Sequence, residues 1–379
     1  MNSKKWIAAS VLLLFVALAA GALWQRYSGT QNAPLPPSDI ARYRTLVGSG
    51  GISAQQIADA AEGLFDEDSS GATQAFIMMR DGKIVAERYG EGIGPQTKLL
   101  SRSIAKTVTA TLIGLMVSDG RLALDSPAPV PAWNQPGDPR GAITLRNLLQ
   151  MASGLEHSED GPPRYNADTV RMIFTDGASD MAAYAEAKPV AHPPGTHFTY
   201  STADSMILSD MMTRMLTARE GAEQRRTAMM EFVRGRLMTP VGLSSLTPEF
   251  DPHGTMIGGA MMHMTARDYA RFGEFLRNKG RVNGHQVLSA RWVEFMTTPS
   301  ALNAAYGGHI WLNREGEGNP LFPGRGSRRI FAAVGHHGQY LLIDPTRRLV
   351  ILRMGISNDE QYLGIRRALV RLVEMFPQG

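Results

Sequence analysis

Apolar and polar positions fall into blocks along the chain, and the first block is the most uniform. From Trp6 to Trp24 every residue is apolar or small except Ser10, with Lys4 and Lys5 before it and Arg26 after it. At ~1.5 Å per residue the block is about 28 Å long as a helix, close to the thickness of a bilayer's hydrocarbon core. The paired lysines hold the N-terminus inside and tryptophans suit both interfaces, so residues 1–27 read as a membrane anchor. A cleaved signal peptide is the competing reading, because Ala17-Leu18-Ala19 and Ala20-Gly21-Ala22 both resemble cleavage sites. Either way the rest of the chain is expected outside the cytoplasm: on the periplasmic face of the inner membrane if anchored, in the periplasm or secreted if cleaved.

Residues 28–39 (SGTQNAPLPPSD) are polar and proline-rich, which disfavours helix and predicts an extended spacer before a body at 40–379. Ser53 is placed to cap a helix reaching Phe65. Two strand-like runs, TQAFIMMR and KIVAERYG, are joined by Asp81-Gly82, a strong hairpin signal. Residues 103–119 carry helical spacing ended by Gly120, with Gly114 the one breaker inside. Between about 122 and 300, loops and short helices dominate. RRIFAAVGHH, QYLLIDP and RRLVILRMG then predict three strands, and 359–376 a closing helix with apolar Leu363, Leu369, Leu372, Val373 and Phe376. Strands near both ends and helices between them predict an α+β fold. One antiparallel sheet is shared by about 40–121 and 301–379, a mainly helical lobe spans about 122–300, and a cleft lies between.

Composition narrows the chemistry. There are 379 residues and no cysteine, which excludes disulfides, thiolate metal sites and a thiol nucleophile. The net charge of +4 falls to +1 without Lys4, Lys5 and Arg26, so no clustered field for nucleic acid is expected. Nine histidines include no HExxH, and no dedicated metal site is expected.

Three short segments could carry catalysis. Ser103-Ile104-Ala105-Lys106 is the only S-x-x-K in the chain and opens the predicted helix. A serine there has its N–H beside the helix's positive end, and a lysine three residues on shares its face. Val108, Leu112, Ile113 and Met116 would supply the burial that keeps a lysine neutral. The plain alternative is a helix cap and a surface charge. Tyr200-Ser201-Thr202 follows a Pro-Pro-Gly turn and precedes an apolar stretch, which suits a proton relay, although a lone tyrosine is usually core. Gly335-His336-His337-Gly338 opens a strand whose edge could face a ligand; for either histidine alone a structural or surface role is the simpler reading. Met256, Met261, Met262 and Met264 suit core packing better than an acyl pocket, and Arg325, Arg328 and Arg329 a solvated loop better than an anion site.

In this order the three segments resemble the serine beta-lactamase-like, penicillin-recognising hydrolases, whose pattern is S-x-x-K, then Y-x-N or Y-x-S, then K-T-G or H-x-G. LLQMASGL at 148–155, IGGAMMHMTARDYARFGEFLRNKG at 257–280 and GHHGQYLLIDP at 335–345 extend the likeness over roughly 50–376. They are most similar to the class C-related branch near esterases and 6-aminohexanoate-dimer hydrolase. The resemblance implies a beta-lactamase/transpeptidase-like fold, with Ser103 as acylated nucleophile, Lys106 as its base, and Tyr200 as proton relay and activator of the deacylating water. It places His336 against Tyr200 or the substrate, the N–H groups of Ser103 and Gln339 in the oxyanion hole, and Thr202 and Gly338 at the substrate. It implies no cofactor.

Thr202 stands in place of the usual amide and His336 in place of a lysine. A hydroxyl reaches less far than an amide, and a mostly neutral imidazole attracts a carboxylate less. Both favour a small-molecule ester or short amide over beta-lactamase or D-Ala-peptidase action. A catalytically silent module that binds peptidoglycan or a protein partner is the alternative from another class.

Overall fold

The computed structural model describes residues 38–377, so the predicted anchor (1–27) and all but the last two spacer residues lie outside the described region. Among the described residues no helix is long and apolar enough to cross a membrane.

A short strand, β1 (Tyr43–Leu46), leads to helix α1 (Ala54–Glu62). Ser53 starts α1 as expected, and more completely than its residue type alone indicates: its Oγ accepts from Gln56 N–H while its own N–H donates to Gln56 Oε1. Strands β2 (Ala72–Arg80) and β3 (Lys83–Tyr89) form the expected hairpin. Asp81 and Gly82 both take positive φ, 52° and 77°, the backbone that a tight turn between right-twisted strands requires. A three-residue strand, β4 (Lys98–Leu100), then delivers the chain to helix α2 (Ile104–Ser118).

Helix α2 is buried on all sides from Ile104 to Met116, packed between the sheet and helix α3 (Thr202–Leu216). Gly114 sits where a Cβ would lie 2.2 Å from the Trp292 ring, so the breaker in this helix is a packing requirement. Strands β5 (Thr247–Pro248) and β6 (Met262–Thr265) complete a small sheet with β4, and helix α4 (Ala266–Arg277) follows.

The main sheet takes its remaining strands from the end of the chain: β7 (Trp311–Leu312), β8 (Phe331–Gly335), β9 (Gln339–Asp344) and β10 (Leu349–Ile356). Its order is β1-β3-β2-β10-β9-β8-β7, with β2 antiparallel to β10, so the two ends of the body meet at the sheet's centre. Helix α5 (Tyr362–Glu374) closes the fold against α1.

Two expectations need correction. The boundary of the helical lobe does not follow 122–300: α4 packs on β2, β9 and β10, because its buried face of Tyr269, Phe272, Phe275 and Leu276 covers the sheet. On the closing helix Leu363 is 48% exposed, and Ile365, Ala368 and Val370 join Leu369, Leu372, Val373 and Phe376 inside. Met256, Met262 and Met264 are fully buried in the core, and Arg325 pairs with Glu374 at the surface.

Candidate active site

The backbone bends sharply where β4 hands over to α2. Arg102 is held at φ 49°, an uncommon conformation for a side-chain-bearing residue, and the strain sets Ser103 at the mouth of the helix. The next three N–H groups are taken up by the turn itself, Ile104 donating to the Ser101 carbonyl at 3.2 Å, Ala105 to that of Arg102 at 3.1 Å and Lys106 to that of Ser103 at 3.1 Å, so Ser103 stands at the entry of the helix. One turn on, Lys106 is only 1% exposed. Its Nζ lies 3.2 Å from Ser103 Oγ, 2.7 Å from Thr202 Oγ1 and 2.8 Å from the carbonyl of Gly259. Gly259 reaches this depth because it has no side chain: a Cβ there would stand 2.8 Å from Thr202 Cγ2.

Tyr200 comes from the opposite wall, just before α3. Its ring stacks on Trp311 at 5.6 Å and meets Tyr306 edge-on at 5.9 Å, which fixes the phenol on the same cleft as Ser103. Lys106 Nζ stands 5.0 Å from the centre of the same ring. Sequence reading therefore named three groups that the fold brings together.

It did not name Glu159. This carboxylate lies on the loop after Leu155, its side chain one-quarter exposed to the cleft. Oε1 accepts from Thr202 Oγ1 at 2.6 Å; Oε2 accepts from Thr202 N–H at 2.7 Å, from Thr169 Oγ1 at 3.0 Å and from His157 Nε2 at 3.0 Å. Lys106 Nζ is 3.9 Å from Oε1. Two more unforeseen groups lie behind the lysine. Asp204 accepts from Ser153 Oγ through one oxygen and leaves the other buried without a partner. His309, at φ 56°, is fixed between Ser205 Oγ and the Leu149 carbonyl, both at 2.9 Å.

Burial sets the protonation states. It pulls Lys106 below the ordinary lysine value, and the nearby Glu159 and Asp204 oppose the shift without reversing it. It pushes the Tyr200 phenol up, and the charge of Glu159 pushes it further. Burial works to raise Glu159 as well, but Lys106 and the hydrogen bonds from His157 and Thr202 outweigh it and hold Glu159 at about 2. Asp204 has weaker compensation, so burial drives it up to about 8. His309 is driven down to about 3 by burial, and His336 is lowered by burial with help from His337, Arg102 and Arg164.

A cleft of about 380 Å³ opens over Ser103 and Tyr200, walled by Trp311, Glu159, His336 and Tyr362. His336 thus shares the site as expected. Three other expected site residues do not. Thr202 is 1% exposed and contacts Lys106 and Glu159 from inside the wall, because its side chain is too short to emerge from the helix N-terminus. Gly338 lies under the turn, where its carbonyl accepts from Arg353 Nη1 at 2.8 Å. Gln339 begins β9, an interior strand; its amide ties the hairpin to Gly355, and it borders a different cavity, beside His337. The strand edge that faces Ser103 is the end of β8. The outer strand β7 pairs only with Phe331 and Ala332, which leaves Val334 and Gly335 open to the cleft. Among the described residues no cluster of His, Asp or Glu could hold a metal ion.

Comparison with known proteins bears on the family and the fold. The profile of the beta-lactamase family matches residues 58–374. The 6-aminohexanoate-dimer hydrolase of Paenarthrobacter ureafaciens is 22% identical over 316 residues, 76% of this chain and 73% of that one. A solved structure from Bacillus anthracis, provisionally assigned as a 6-aminohexanoate-dimer hydrolase, superposes with a TM-score of 0.66 at 23% identity, covering 84% of this chain and 83% of the other. A family VIII carboxylesterase superposes with a TM-score of 0.61 at 15% identity, over 86% and 98% of the two chains.

Proposed function

This chain belongs to the beta-lactamase family and is a serine hydrolase of its esterase- and amidase-related part; from that premise we propose that it cleaves a carboxylic ester or small amide through an acyl-enzyme on Ser103. The observation that carries this reading is the contact of Ser103 Oγ with the buried Lys106 Nζ at 3.2 Å, with the Tyr200 phenol alongside.

In the proposed cycle Lys106, its proton affinity reduced by burial, accepts the Ser103 proton as Oγ bonds to the substrate carbonyl carbon. The carbonyl π pair moves onto oxygen, where the Ser103 N–H and the open β8 edge at Val334–Gly335 stabilise it. The C–O or C–N bond then breaks, and the leaving group takes a proton relayed from Lys106 through Tyr200. Because burial and Glu159 keep Tyr200 a neutral phenol, it donates and relays and is not a resident phenolate. Water repeats the sequence in the second half: its oxygen bonds to the acyl carbon, its proton passes to Lys106, and Ser103 Oγ leaves reprotonated.

The substrate preference follows from two features of the cleft. His336, kept neutral, offers no fixed charge for a substrate carboxylate. The aromatic wall of Trp311 and Tyr200 suits a compact acyl group. A fluorophosphonate probe is expected to label the purified body and not Ser103→Ala, and p-nitrophenyl acetate or butyrate to be turned over well ahead of nitrocefin. Absence of labelling would favour a silent binding module; preference for nitrocefin would favour beta-lactamase chemistry.

A further inference from the structure

The hydrogen-bond pattern around Lys106 has a direction, and Glu159 sets it. A carboxylate has no proton to give, so the Thr202 hydroxyl, 2.6 Å from Glu159 Oε1, must donate its single hydrogen there. Its lone pairs are then what faces Lys106 Nζ at 2.7 Å. The Gly259 carbonyl at 2.8 Å can likewise only accept. A neutral amine has two N–H bonds and one lone pair. With both hydrogens committed to Thr202 and Gly259, the lone pair is left to the third neighbour, Ser103 Oγ. That is the orientation in which the amine can take the serine's proton.

We propose that Glu159 is a positioning residue for the acylation step: by polarising the Thr202 hydroxyl it makes Thr202 an acceptor and so aims the Lys106 lone pair at Ser103. Glu159 is itself fixed by Thr202 N–H, Thr169 and His157, and it stands 3.9 Å from Lys106, too far to replace Thr202 as a direct partner. The proposal rests on the Ser103–Lys106 reading above and gives Glu159 a role beyond its effect on the Tyr200 phenol.

The test is the rate of fluorophosphonate labelling as a function of pH for wild type, Glu159→Gln, Thr202→Val, Thr202→Ser and the double variant Glu159→Gln/Thr202→Val. Glutamine keeps the shape but brings an NH2 that can donate to Thr202, turning its hydrogen toward Lys106 and occupying the lone pair. Glu159→Gln and Thr202→Val are each expected to slow labelling on the order of 10²-fold, the scale of a lost general base. The double variant should be no more than about threefold slower than either, since both break one relay. Thr202→Ser, which keeps the hydroxyl, should recover most of the rate. The profile should move too. The titratable groups around Lys106 are Glu159, Asp204, Tyr200 and His309, with His157 and Tyr306 bordering Glu159. Glu159 favours the charged amine, so its neutralisation should shift the rising acid limb of Glu159→Gln to lower pH even as the plateau falls. A merely structural residue would lower the rate without moving the limb.

Labelling of Glu159→Gln within about threefold of wild type on an unmoved profile, or losses that multiply in the double variant, would overturn the proposal. If Glu159→Gln does not fold, Thr202→Val against Thr202→Ser decides by the same rates: equal values overturn it. Failure of the underlying reading looks different, as wild type that is not labelled or Ser103→Ala that still is.

Discussion

Among the described residues Lys106 and Arg353 are the two most deeply buried cations, and their surroundings could hardly differ more. Lys106 lies under the cleft with two carboxyl groups nearby, Glu159 and Asp204. Arg353, in the centre of the sheet and 0% exposed, has no carboxylate among its hydrogen-bond partners. Its guanidinium donates instead to neutral oxygens: Thr73 Oγ1 at 3.0 Å, the Gly338 carbonyl at 2.8 Å, the Ser70 carbonyl at 2.8 Å and Ser357 Oγ at 2.9 Å. Burial lowers Arg353 only to about 10, so it stays charged at neutral pH and its fixed fork holds the turn that carries His336. A lysine under the same pressure can shed its proton. The contrast separates a structural cation from a chemical one by residue type: the guanidinium fastens strands, and in the proposed cycle the amine exchanges a proton.

The largest expected effect is at the structural cation. Arg353→Met removes a donor from each of four buried oxygens, and denaturant unfolding should show a loss of about 3 to 5 kcal/mol. A loss below about 1 kcal/mol would remove the distinction. The chemical cation should be sensitive in rate. Lys106→Arg keeps the charge but cannot become a base, and ester turnover should drop on the order of 10²-fold, about 2.7 kcal/mol in barrier. Near-normal turnover would show that charge alone suffices.

A third effect sharpens the comparison inside the Lys106 pocket. Asp204 titrates near 3.8 when unfolded and about 8 when folded. Between those values the folded state holds a proton that the unfolded state has released, so this group's contribution to stability falls as pH rises through that window. Asp204→Asn should therefore match wild type near pH 4 and exceed it by a margin that widens as pH rises toward 8 in thermal or denaturant unfolding. Equal curves at both pH values would mean that Asp204 is ionised in the fold.

Sequence alone revealed the parts of this design that are local. Ser103 and Lys106 are three residues apart on one helix, Tyr200 follows a turn signal, and Asp81-Gly82 announces its own hairpin. What it hid depends on distance. Glu159 sits in a polar loop that reads as solvated, and its meaning comes from Thr202, 43 residues away. Arg353 interrupts an apolar strand and is satisfied by Thr73, 280 residues earlier. Gln339 follows the histidine motif closely enough to suggest the oxyanion hole, yet only the pairing of β7, β8 and β9 reveals which strand edge is open.

The seam between β2 and β10 joins Ala72–Arg80 to Leu349–Ile356, at nearly opposite ends of the body. A nascent chain emerging from the ribosome therefore carries its serine and lysine for more than two hundred residues of synthesis before the strand that closes the sheet exists. Translation cut short before Leu349 therefore yields a fragment that carries Ser103 and Lys106 but lacks the strand that pairs with β2.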